Sequence, residues 1–232
     1  MIQEVESHSH HISRQFNIEL EDVKTRMLEM GGKVEKQLHD AINSLVSLDS
    51  ELAQRVRDDD NLIDTLEVSI DGQCSRILAR RQPAASDLRL ILAIIKTIRD
   101  LERIGDESSK IAKMAIRLSQ DGDLPKGSGE IQHIGELVRH MVHNALDAFA
   151  RYDTDSAVAV TDEDEDVDEQ YSAAIRAMID CMQEEPAKID SFLNLVWALR
   201  ALERIGDHAK NISEHILYVV RGTDVRHGGL NR

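Results

Sequence analysis

The hexamer Leu101-Glu102-Arg103-Ile104-Gly105-Asp106 recurs letter for letter as Leu202-Glu203-Arg204-Ile205-Gly206-Asp207. A second copy of an arbitrary hexamer in a chain of this length has odds of roughly one in a thousand, so the sequence reads as an internal duplication. Each copy lies in a pattern of helical period. The first carries Ile94, Ile98, Leu101, Gly105, Ser108 and Ala112 on one stripe, and the second carries Leu195, Leu199, Leu202, Gly206, Ala209 and Ser213. The acids of each hexamer stand at i, i+4, about 6 Å apart along one side of a helix and at the edge of its apolar stripe. A glycine inside a helix costs about 1 kcal/mol relative to alanine. Its presence in both copies implies that a neighbouring helix or a bound ion approaches the backbone there.

The rest of the chain supplies helices for this motif to pack against. Only 3 Pro and 3% aromatic residues accompany 31% charged residues, the composition of long helices. Helical spacing predicts a first helix to Leu48, with Val23, Met27, Met30, Val34, Leu38, Ala41 and Leu45 inside and Gly31-Gly32 as its weak point. Asp49 or Ser50 caps a second helix, which Gln82-Pro83 stops, and Ser86 caps the third. A Gly/Asp/Ser-rich linker, 119–129, precedes a fourth helix over 130–150, a fifth over 154–183 and, after Pro186, a sixth over 189–221. The expected fold is therefore all-α: two tandem pseudo-symmetric three-helix bundles, 12–118 and 130–221. Residues before Ile12, with His8, His10 and His11, and residues after Gly222, with Gly228-Gly229, are expected to be tails. Trp197 and Tyr171 are expected in the core.

A net charge of −15 argues against a nucleic-acid partner and favours cations or basic protein surfaces. Cys74 and Cys181 lack metal-ligand spacing and read as free thiols of a reducing compartment. With no basic and apolar leader at Met1 and no membrane-length apolar run, the expected location is the cytoplasm.

The second and fifth helices carry matching acid pairs, Asp60/Asp64 around Ile63 and Asp164/Asp168 around Val167. With Glu102/Asp106 and Glu203/Asp207, each half has two pairs on two helices, able to face each other across a groove. Chance alone gives roughly four acid-xxx-Asp pairs in such a composition. Six occur, Glu67/Asp71 and Asp162/Asp166 being the others, so only the correspondence between halves selects the four. One reading is a solvated acidic face balanced by Arg99, Arg103, Arg200 and Arg204. The other is metal binding, and carboxylates without a matched Cys or His set suit magnesium, manganese or iron better than zinc. Glu130/His133 alone fits the Glu-x-x-His spacing of di-iron oxidases, which would need two. Glu35/His39 and Glu136/His140 read as surface residues able to add ligands. No phosphate loop, nucleophile elbow or Ser/His/Asp arrangement is present.

Along nearly its whole length the chain resembles the PhoU family. The duplicated halves, the four acid pairs and the stretch Arg81-Gln82-Pro83-Ala84-Ala85-Ser86-Asp87-Leu88-Arg89 carry the resemblance. It implies binding of divalent or trivalent metal ions through Asp60, Asp64, Glu102, Asp106, Asp164, Asp168, Glu203 and Asp207, with no catalytic residue. It further implies a homodimeric cytoplasmic adaptor that restrains phosphate uptake and the phosphate-starvation response. Its implied partners are the ATPase subunit of a phosphate ABC transporter and a sensor histidine kinase, and it would meet the membrane only through them. The turn Glu184-Glu185-Pro186-Ala187-Lys188 departs from the Arg-Gln-Pro form, which implies different partners for the two halves. Asn61 and Thr65 beside the first acid pair, against Glu165 and Glu169 beside the second, imply unequal metal affinities. Alternatives from the residues alone are a carboxylate-bridged hydrolase such as a phosphatase, since two metals activate water, and a bundle whose acids hold nothing.

Overall fold

Six long helices and one short turn account for the architecture of the computed structural model, which describes the backbone of residues 2–222 and the side chains of residues 14–222. The helices are α1 (Ile2–Val46), α2 (Ser50–Arg81), α3 (Ala85–Ser119), α4 (Ser128–Arg151), α5 (Thr154–Glu184) and α6 (Ile189–Arg221), the last preceded by the 3-10 turn Pro186–Lys188. No strand occurs among the described residues. Helices α1–α3 form one bundle and α4–α6 the other, and a single apolar core runs through both.

Both halves turn their first corner in the same way. Leu48 and Tyr152 end α1 and α4 in the left-handed conformation, with φ of 54° and 55°. The next residue, Asp49 or Asp153, then caps the following helix. Asp49 accepts a hydrogen bond from the Leu52 amide at 2.9 Å, and Asp153 accepts from the Asp155 and Ser156 amides at 3.1 Å each. Such caps satisfy amides that the first turn leaves without partners, each worth about 1 kcal/mol.

Every position of the two hexamer stripes is buried. So are the interior residues expected of α1, from Val23 to Leu45. Four sequence expectations are corrected. Helix α1 starts at Ile2, not near Ile12, because no Pro or Gly interrupts it before Gly31 and a helix needs apolar periodicity only where it is buried; the side chains of His8, His10 and His11 lie outside the described ones. Ser86 does not cap α3, whose cap is Ala84, so Ser86 falls inside the first turn. Trp197 is 61% exposed, since its place on α6 is at the rim of the bundle, while Tyr171 packs partly buried against the core. Gly31-Gly32 is no break but a contact point. The tail expected after Gly222 lies outside the described residues.

The halves pack through two antiparallel seams, α3 on α6 and α1 on α4. In the second, each helix presents a glycine to a branched side chain of the other. A Cβ on Gly31 would stand 2.7 Å from Leu146 Cδ2, and one on Gly135 would stand 3.1 Å from both Ile42 Cδ1 and Cγ2. Gly31 and Gly135 are equivalent positions of the duplication, as are Ile42 and Leu146, so one contact is made twice about a local two-fold axis. A Cβ on Gly32, the next residue, would have nothing within 4 Å. Gly32→Ala is therefore expected to stabilise the protein by about 1 kcal/mol through helix propensity alone. Gly31→Ala, which must push Leu146 out of a packed seam, is expected to lose that gain or destabilise. Urea midpoints of the two variants measure the contrast.

Candidate metal-binding grooves

The sequence pairs acids within single helices; the structure shows which helices they share a groove with. On α2, Asp60 lies against α3 at the glycine of the hexamer: a Cβ on Gly105 would be 3.4 Å from Asp60 Oδ1 and 3.1 Å from Gln37 Oε1. On α5, Asp164 lies against α6 in the equivalent way, its Oδ1 3.6 Å from a Cβ on Gly206. The repeated glycine thus admits the carboxylate of the preceding helix, which accounts for its presence despite its cost.

The electrostatics show that the acids of neighbouring helices face one another. The Asp64 carboxyl is raised above the ordinary 3.8, first by burial and then by the charges of Asp60 and, across the groove, Asp106. Glu102 is raised above 4.5 by burial and by Asp106, with Arg103 opposing and Glu67 and Asp64 of α2 adding. In the second half Glu203 is raised by burial and Asp207, with Arg200 opposing and Asp168 of α5 adding. Asp207 is raised by burial and then by Asp164 and Asp168. All eight sequence-selected acids therefore belong to two grooves, α2/α3 and α5/α6, four in each. They share a groove without closing into a coordination sphere: among the described residues no group of three or more His, Cys, Asp or Glu side chains stands close enough to hold an ion.

The two grooves differ in what already satisfies their oxygens. In the first, Gln37 of α1 donates to Asp60 Oδ1 at 2.9 Å, and Arg103 reaches Asp106 at 2.9 Å and Glu102 at 3.3 Å. In the second, Lys210 donates to the buried Asp164 at 2.7 Å and Arg200 to Glu203 Oε1 at 2.6 Å. Gln37 Oε1 in the first groove and Glu203 Oε2 in the second are buried without any partner. A buried acceptor left unpaired costs about 1–3 kcal/mol, and a cation would satisfy it. The oxygen-only donor set fits a hard cation.

Other residues fall where the spacing placed them or fail to join. Glu130 and His133 line a separate groove between α4 and α5 with Gln170. His143 pairs with Glu35 at 2.8 Å, and His140 stands 3.8 Å from Glu163. Arg99 and Arg103 lie near the first set, but Arg204 turns instead to Glu107, 2.9 Å away. Cys74 and Cys181 are free, and burial pushes the Cys74 thiol up to about 12. Sequence reasoning missed three participants. Glu67, whose spacing to Asp71 has no counterpart in the other half, faces the first groove, its carboxyl raised by burial, with Arg99 opposing and Asp71 and Asp64 adding. Gln37 gave no signal, being one polar residue inside an apolar stripe. Asp100 ties the halves together, accepting hydrogen bonds from His208 and His215 at 2.9 Å each and from Asn211 at 3.2 Å. Burial works to raise its carboxyl, yet these bonds prevail and lower it. Its signal was the break in the repeat, Asp100 standing where the second copy has Ala201.

A duplicated all-helical scaffold presenting one carboxylate groove per half is the class of protein that these features define. A family model described as PhoU domain matches residues 27–115 and again 131–216. The phosphate-specific transport system accessory protein PhoU homolog of Pseudomonas aeruginosa is 57% identical, over 98% of this chain and 94% of that protein. The crystal structure of PhoU from Pseudomonas aeruginosa superposes with a TM-score of 0.88 at 56% identity, covering 90% of this chain and 100% of the other. The phosphate transport system regulatory protein PhoU from Streptococcus pneumoniae gives 0.84 at 28% identity, over 90% and 99%. The chain belongs to the PhoU family.

A carboxyl with a raised pKa binds its proton more tightly in the folded chain than in the unfolded one. Its contribution to stability is then present at low pH and lost as pH climbs from the ordinary value through the raised one. Glu203→Gln is expected to raise the melting temperature at pH 7.5 relative to the parent and to leave it nearly unchanged at pH 4. Divalent cation, which binds the folded state, is expected to raise the parent's melting temperature more at pH 7.5 than at pH 5. Thermal scans across that range test both signs.

Proposed function

We propose that this protein is a cytoplasmic metal-binding adaptor that restrains phosphate uptake and the phosphate-starvation response, linking a phosphate ABC transporter to a sensor histidine kinase. The observation carrying the reading is that four carboxylates line each of two equivalent grooves, in a chain similar over almost its full length to accessory proteins of phosphate transport. Asp60, Asp64, Glu102 and Asp106 would hold a cation in the first half, and Asp164, Asp168, Glu203 and Asp207 in the second. A bound magnesium, manganese or iron ion would supply positive charge that offsets the mutual repulsion of the opposed carboxylates.

The residues themselves do the rest. Asp60 and Asp164 sit on helix glycines, so their position relative to α3 and α6 is set by backbone contact. Gln37 and Lys210 orient them. Each groove holds a guanidinium, Arg103 on Glu102 and Asp106 in the first and Arg200 on Glu203 in the second, but only in the second is the acid on the glycine also neutralised, Asp164 by Lys210, where Asp60 has the uncharged amide of Gln37. This supports unequal occupancy, with the order opposite to what Glu165 and Glu169 imply from charge alone. The absence of a membrane-length apolar helix among the described residues fits an adaptor reaching the membrane through partners. Accessory and regulatory are the words attached to the relatives, which favours the adaptor over the hydrolase.

Deleting the gene is expected to raise phosphate-regulated expression in phosphate-rich medium; unchanged expression removes the regulatory reading. Elemental analysis of protein purified without chelator is expected to show metal that falls by about half in Glu102→Ala or Glu203→Ala and nearly vanishes in the double variant. Equal metal content in all of them removes the grooves as the site.

A further inference from the structure

The local two-fold axis places the two ends of the α3–α6 seam in equivalent positions, and they are built differently. At one end Asp100 reaches from α3 to His208, Asn211 and His215 of α6, and Lys96 lies over the Tyr218 ring, 5.1 Å from its centroid. At the other end the equivalent of Asp100 is Ala201, and the equivalent of Lys96 is Trp197. No carboxylate occupies the place of Asp100 there. Glu107, the equivalent of His208, is held by Arg204 and Lys110 at 2.9 Å each. What remains is an open groove of about 510 Å³, to which Lys110, Lys113, Arg117, Arg200 and Arg204 contribute five basic side chains against the one acid, Glu107.

That concentration of positive charge stands on a chain of net charge −15. Among the described residues Lys113 and Arg117 make no ion pair, so two of the five cations are uncommitted. Trp197 forms one wall while 61% exposed, and Leu193 and Ile189, each 41% exposed, precede it at i−4 and i−8 on the same face of α6. A cationic groove running into an apolar stripe headed by tryptophan has the anatomy of a protein interface, where Trp and Arg carry a large share of the binding energy.

The geometry points to a docking site for an acidic segment of a protein partner: an amphipathic stretch whose apolar side covers Ile189, Leu193 and Trp197 while its carboxylates enter the groove. Those carboxylates pair with Lys113 and Arg117, the cations of the groove that no acid of the described residues holds. The assignment rests on the adaptor reading only in taking the occupant to be a protein, and it touches the metal grooves only through Arg200, which also bonds Glu203. Charge complementarity fixes where the partner lands, because an acidic segment is repelled by most of this surface and attracted at this groove.

Trp197 is the only tryptophan of the chain, so its emission reports on the groove directly. The full-length protein is titrated with a short peptide of Asp and Glu interleaved with Leu and Phe at helical spacing. A blue shift of the emission is expected. The double variant Lys113→Glu/Arg117→Glu should weaken binding about tenfold or more. Raising salt to about 0.5 M should weaken it as well. Arg57→Glu, on the exposed face of α2, should leave it unchanged. No shift, or a shift that the double variant does not diminish, overturns the proposal. So does inorganic phosphate alone producing the same shift and displacing the peptide, which makes the groove a small-anion site. Emission that shifts with protein concentration in the absence of peptide, together with a doubled mass in light scattering, overturns it in favour of a second copy of this chain. None of these outcomes bears on phosphate-regulated expression in the deletion strain, so failure here and failure of the adaptor reading are separable.

Discussion

Close approach of helix backbones is the constraint on which this fold depends. It is met at glycines that come in equivalent pairs. Gly31 and Gly135 let α1 and α4 lie together with Leu146 and Ile42 seated in the gaps; Gly105 and Gly206 let a carboxylate of the preceding helix rest on α3 and α6. A side chain at any of these positions would hold the helices farther apart. The acids would then be farther from one another and better solvated, and the upward pKa shifts of Glu102, Glu203 and their neighbours would fade with the burial that produces them. The price of four helix glycines, about 1 kcal/mol each, is small beside the core burial they permit.

Much of this was legible in the sequence because duplication doubles every signal. Helix order and the eight groove acids came from comparing one half with the other, while the cap at Asp49 and the stops at Pro83 and Pro186 came from local residue preferences. What remained hidden depends on partners that the chain brings together over long separations. Gln37 donates to Asp60 from a helix that gives no hint of a polar neighbour, and Lys210 reaches an acid on a different helix. Trp197 was misplaced for a related reason: large apolar residues at helical spacing read as core, and nothing local separates the face turned to α3 from the rim beside it. Gly31-Gly32 shows the same limit. Paired glycines look like a helix break in one dimension, but a buried notch against α4 keeps the helix whole.

The halves are alike in backbone and unlike in chemistry. Equivalent positions hold Gln37 and Met141, Ser109 and Lys210, Asp100 and Ala201, Glu107 and His208. Each difference keeps the helix order and changes which polar or charged group stands where. The first groove is bridged by a neutral amide and the second by an ammonium; one end of the central seam is knitted shut by Asp100 and the other is left open and basic. A gene duplication that preserves shape while charges drift would produce this pattern.

The antiparallel seam has a mechanical consequence. Helices α3 and α6 each form one wall of a carboxylate groove and, on another face, half of the contact between bundles. With Asp60 and Asp164 resting on Gly105 and Gly206 at the groove face, and Asp100 fastening one end of the seam to three side chains of α6, neither helix can slide or roll without dragging the other. The two grooves thus share a common spine, and any event that squeezes or spreads one of them is transmitted as strain to its twin.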